Sequence, residues 1–201
     1  MSKVIILILN ININNIYYII LIMDYDDDDD NFNKFKQHYM LYEITMHMRN
    51  DYMISKLHGF NNLYKLTVNH AKLRTLDNLP INLKFLNCSN NYLNQLSNLP
   101  IELNELDCSQ NCIQMLNYIP PALHILNCSY NEIEMLDNLP ITLKCLRCDV
   151  NQIDSANNLP EGLETIYAFL NSFNSIKNIP MTLKQIFIHN KTHTLIKYIK
   201  I

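Results

Sequence analysis

From residue 63 onward the apolar positions recur with a fixed phase. "LPINLKFLNCSNNYLNQLSN" (79–98) gathers Leu83, Leu86 and Cys88, then Leu93 and Leu96. The same order restarts at Leu99, Ile119, Leu139, Leu159 and Ile179 without an insertion. A weaker copy (Leu63, Leu66, Val68, Leu73, Leu76) comes before it, with Ala71 where later copies have asparagine. Leu86 and Cys88 are two apart, as a short strand with one buried face requires. One unit cannot bury its own apolar side. Stacked units can, giving a continuous core and a parallel sheet of short strands.

The polar positions fit this picture. Asn91, Asn111, Asn131, Asn151 and Asn171 sit where each unit turns, and an asparagine side chain there can bond backbone groups that no strand satisfies. Proline recurs at 80, 100, 120, 140, 160 and 180. It fixes φ and removes a donor, so the return side is predicted to be extended rather than helical. The array covers 57–196. It decays toward its end, where Ala156 replaces a leucine and Ala168 and Ile188 replace cysteine.

The flanks follow other patterns. Phe32, Phe35, Tyr39, Tyr42 and Met46 are three and four apart, which predicts an amphipathic helix over 32–48 and an N-terminal helical cap over 32–56. Segment 189–201, "HNKTHTLIKYIKI", is expected to complete a last partial coil and shield the other end, with 197–201 as the tail. Residues 1–31 are an apolar leader followed by an acidic run. Residues 4–22 are nearly long enough to span a bilayer, but Asn10, Asn12, Asn14 and Asn15 interrupt them at a cost in hydrocarbon. An unstructured leader, a membrane anchor and a packed strand all stay open, and Met23 is an alternative start. "DYDDDDDN" (24–31) reads as a solvated tether, since a calcium loop needs spaced oxygen ligands.

The pattern LPxxLxxLxCxxNxLxxLxN resembles the leucine-rich repeat. Its length and LP bend are most similar to the short class found in secreted effectors of intracellular bacteria; similar arrays occur in amoebae and large DNA viruses. The sequence departs from that class in using cysteine where valine or leucine is usual. The resemblance implies an α/β solenoid, a right-handed coil with short parallel strands on its concave face and an extended convex side. It also implies protein–protein recognition inside cells.

Composition narrows the chemistry. The formal charge is −3, and residues 1–30 carry one lysine against six aspartates, so the array is near neutral and shows no basic face for nucleic acid. With 2 glycines no phosphate-binding glycine loop exists, and the 7 histidines form no metal or catalytic spacing. Cys88, Cys108, Cys128 and Cys148 form a ladder one strand spacing apart, which cannot surround one ion tetrahedrally. They are expected to fill a narrow core slot as small hydrophobes, consistent with a reducing, cytoplasmic location. Cys112 is the expected exposed thiol. No catalytic residue, cofactor or metal is expected.

What remains is surface. Strand residues between the inward ones face the concave side: Asn87, Asp107, Asn127, Arg147, Tyr167 and Phe187 in one column, with Phe169 in the next. These seven are the candidate partner-binding residues. Tyr167, Phe169, Leu170 and Phe187 gather the aromatic and apolar surface at one end. The expected function is a non-catalytic, monomeric module that binds a protein partner. An adaptor that brings substrates to a ubiquitin ligase is one alternative. A membrane-tethered receptor-like protein is another, if residues 4–22 are translated and inserted.

Overall fold

A computed structural model describes residues 5–7, 17–22, 41–46, 54, 57–189 and 195–199. Its centre is the stacked array. Strands β4 (Lys65–Thr67), β5 (Phe85–Asn87), β6 (Glu105–Asp107), β7 (Ile125–Asn127), β8 (Cys145–Arg147), β10 (Thr165–Ala168) and β12 (Gln185–His189) pair parallel in that order. Residues twenty apart face each other throughout, as with Leu86 and Leu106, or Leu106 and Leu126. The identical unit length therefore keeps each side chain in one column along the whole solenoid. Two short strands, β9 (Ser155–Ala156) and β11 (Ser175–Ile176), pair parallel in a second, small sheet.

The core is the repeat read inward. Leu83, Leu86, Cys88, Leu93 and Leu96 are all buried, and so are their counterparts in the following coils. At each LP bend the proline carbonyl accepts the leucine N–H three residues on, as from Leu103 to Pro100 (3.0 Å) and from Leu163 to Pro160 (2.9 Å). This turn throws its central residues outward, so Ile81, Ile101 and Ile141 are exposed.

Asparagine also takes glycine's conformational role. Asn78, Asn98, Asn138 and Asn178, just before the LP bend, have φ of 52–64°. Asparagine tolerates this left-handed region better than most side chains. A second left-handed column comes just before the turn asparagines. There Gln110, Tyr130, Val150 and Leu170 have φ of 54–58°.

The flanks differ from the sequence reading. Residues 41–46, inside the segment predicted as helix, form strand β3 (Leu41–Met46). It pairs parallel with β4, setting Glu43 beside Lys65 and Ile44 beside Leu66. Tyr42 and Met46 fit one helix face, but Tyr42, Ile44 and Thr45 also suit a strand, and β4 offers an edge that needs a partner. Within the rest of the expected 32–56 cap, Ile54 is buried in helical conformation, and residues 32–40, 47–53, 55 and 56 lie outside the described residues.

In the leader, β2 (Tyr17–Ile22) pairs parallel with β3, and β1 (Ile5–Leu7) pairs antiparallel with β2. Of the three openings left by the sequence, residues 5–7 and 17–22 take the strand. No helix among the described residues is long and apolar enough to cross a membrane. The acidic run lies outside the described residues. At the other end, β13 (Leu195–Ile199) turns back antiparallel on β12 instead of adding a partial coil. Position 191, where the turn asparagine belongs, is a lysine.

Candidate functional site

Strand alternation builds the exposed face. Leu86 and Cys88 point into the core while Phe85, Asn87 and Ser89 point away from it. Parallel pairing then lines up each outward position across coils. Asp107 stands beside Asn87 and Asn127, Asn127 beside Arg147, Arg147 beside Tyr167, and Tyr167 beside Phe187. All seven candidate residues therefore lie on one face.

They divide into a polar part and an aromatic part. Asn87, Asp107, Asn127 and Arg147 line a groove of about 460 Å³ that crosses strands β4 to β8. The Asn87 side-chain oxygen accepts the Ser89 N–H (3.0 Å) and hydroxyl (2.7 Å). Asp107 binds Ser109 in the same way, at 3.0 and 2.6 Å. Ser109 and Ser129 are buried. Next to the groove the Arg147 guanidinium lies 4.5 Å from the centre of the Tyr167 ring. Tyr167 stacks on Phe187 at 4.7 Å with the rings 4° from parallel. Phe169 is tilted against Phe187 at 6.1 Å. Asp149 accepts the Phe169 N–H at 2.8 Å and so ties the strand end that carries this ring. Cation, ring and ring thus form one ordered row, which side-chain entropy alone would scatter.

Sequence reasoning missed two columns. One is the outward residue just before each central strand leucine. It brings Lys65, Phe85, Glu105 and Ile125 into the groove. The alternation that placed Asn87 outward also places Phe85 outward, so the signal was present. The other is the left-handed turn column. From it Tyr130 and Val150, beside the already named Leu170, join Phe169, Arg147 and Asp149 around a second groove of about 420 Å³. The positive-φ positions are not visible in the apolar pattern.

Beneath this face the cysteine ladder is core. Cys88, Cys108, Cys128 and Cys148 are buried, and all six cysteines are free thiols. The Cys128 Sγ contacts the Arg147 carbonyl oxygen at 3.4 Å, and Cys148 contacts that of Tyr167 at 3.4 Å. Burial pushes all four thiols well above their ordinary range, so they stay protonated and are poor nucleophiles and metal ligands. Cys112 is exposed, as expected, and Cys145 is half-buried on the sheet face. Among the described residues no three His, Cys, Asp or Glu side chains converge as a metal site requires.

The same coil geometry is found in solved structures. YopM, a leucine-rich effector protein from Yersinia pestis, is 30% identical over 76% of this chain, with a TM-score of 0.65. A leucine-rich repeat domain of a Shigella effector is 26% identical over 84% of this chain and 85% of its own length, with a TM-score of 0.57. The array is a leucine-rich repeat solenoid. It spans 44% of the length of the Yersinia pestis protein. No family model and no curated protein matches the sequence. The leucine-rich repeat face of this chain nevertheless has its own character. Its middle is lined by asparagine and serine with two carboxylates, and its end is an aromatic row closed by arginine.

Proposed function

We propose that the protein is a non-catalytic recognition module whose sheet face docks a protein partner, centred on the Arg147–Tyr167–Phe187 row and Phe169. The observation that carries this is the row itself. Three aromatic rings and a guanidinium are pre-ordered on a solvent face, where they add nothing to the core. Rigid aromatic and arginine side chains lose little entropy on binding and dominate interface energetics. The effectors with similar folds support an encounter with proteins of another organism's cell. The buried free thiols support a reducing compartment.

Site-specific photocrosslinking tests the reading. A photoreactive phenylalanine at position 187 should capture a discrete protein from the cells in which the protein acts. The same group at Tyr118, exposed on another face, should not. Equal capture at both positions would remove the sheet face as the docking surface.

A further inference from the structure

The polar half of the face points to the chemistry of the partner. Glu105 and Asp107 are outward neighbours on β6, in the middle of the groove. Neither makes an ion pair among the described residues. Asp107 gives one oxygen to Ser109, while Glu105 stands between Phe85 and Ile125 in the strand register. Ile125 is an exposed apolar side chain. A carboxylate pair flanked by apolar surface suits a long cationic side chain, whose stem lies on the apolar groups while its head meets the charge. The Arg147 guanidinium does not serve this purpose, because it is turned onto Tyr167.

We infer that the partner presents an extended segment with a lysine or arginine on Glu105 and Asp107 and, about four residues away, an aromatic or large aliphatic residue against Tyr167 and Phe187. This rests on the docking reading above. The spacing comes from the register. Asp107 and Tyr167 are three strands apart, which is roughly 14 Å at the usual sheet spacing, and an extended chain covers that in about four residues. The chemistry is that of a basic–apolar peptide, in contrast to an acidic one that Arg147 alone would select.

The test is selection of random peptides displayed on phage against the full chain, followed by fluorescence anisotropy of the selected sequence as a synthetic peptide. Two double variants separate the claims. E105Q/D107N removes both charges with side chains the fold already accepts, since Gln185, Asn87 and Asn127 occupy the equivalent positions. Y167A/F187A removes the row. We expect selected peptides with the basic–apolar spacing, an affinity loss of about tenfold in E105Q/D107N, and weaker binding in high salt. Peptides that bind E105Q/D107N unchanged but fail on Y167A/F187A would overturn this inference and leave the docking reading standing. Peptides indifferent to both variants, or no enrichment at all, would overturn both.

Discussion

The Asn111 side-chain oxygen accepts the backbone N–H of Leu93, one coil earlier, at 2.9 Å. Its amide donates to the carbonyls of Cys88 in that earlier coil (3.1 Å) and of Cys108 and Ser109 in its own (3.0 and 3.2 Å). One buried side chain thus serves four backbone groups, of which the Ser109 carbonyl also accepts the Asn90 N–H at 2.9 Å. Asn91, Asn131, Asn151 and Asn171 repeat the arrangement. Coils are joined by the parallel strands and, directly after them, by this ladder.

Removing one rung should therefore cost more than an ordinary buried polar substitution. Asn111→Ala strands several buried backbone groups at once and is expected to lower unfolding free energy by about 3 kcal/mol. The midpoint of urea denaturation measures it. Asn171→Ala, in a less buried coil, should cost less.

The thiols should divide by position. In the native protein a thiol reagent should label Cys112 quickly and Cys145 slowly, because Cys145 is half-buried and burial raises its thiol. Cys88, Cys108, Cys128 and Cys148 should react only on unfolding. Cys108→Ser puts a hydroxyl in an apolar slot and should cost about 1–2 kcal/mol by thermal melting, whereas Cys108→Ala should cost less.

Alkaline pH should destabilise the fold. An unfolded cysteine loses its proton near its ordinary value, while the buried thiols keep theirs because burial holds them well above it. Above that value the folded state binds more protons, so stability is full below it and falls as pH rises. The slope approaches about 1.4 kcal/mol per pH unit for each buried thiol. A melting series from neutral to alkaline pH checks this against a variant with alanine at all four ladder positions, whose slope should be shallower.

The last coils are tight at one backbone point. A β-carbon on Gly162 would overlap the carbonyl oxygen of Ile141 in the coil below. Gly162→Ala must shift the backbone and should cost about 2 kcal/mol. The equivalent Ala122 is accommodated two coils earlier, so the strain belongs to this junction. Thermal melting with Ala122→Gly as the control measures the difference.

The sequence announced whatever repeats. Leu86, Cys88 and Asn91 return in phase, and stacking turns that phase into the core, the strand register and the asparagine ladder. The flanks carry no copies to average over. Tyr42 and Met46 satisfy helical spacing, and only the open edge of β4, a long-range fact, selects the strand instead. The site was half legible. Alternation placed Arg147, Tyr167 and Phe187 outward in one column, but their contact depends on rotamers that turn the rings face to face. Glu105 was missed because it precedes the residues counted, although the same alternation sends it outward. Tyr130 and Val150 were missed because their direction follows from a left-handed turn, which leaves no mark in the apolar pattern.

The central claim is that the aromatic row on the sheet face holds the partner. Affinity capture with the full chain should lose the partner when Tyr167 and Phe187 are both changed to alanine, with melting temperature little altered. It should retain the partner when exposed Ile81 and Ile141 at the LP bends are changed instead. Undiminished capture by the Tyr167→Ala/Phe187→Ala protein, with its fold intact, would contradict the account.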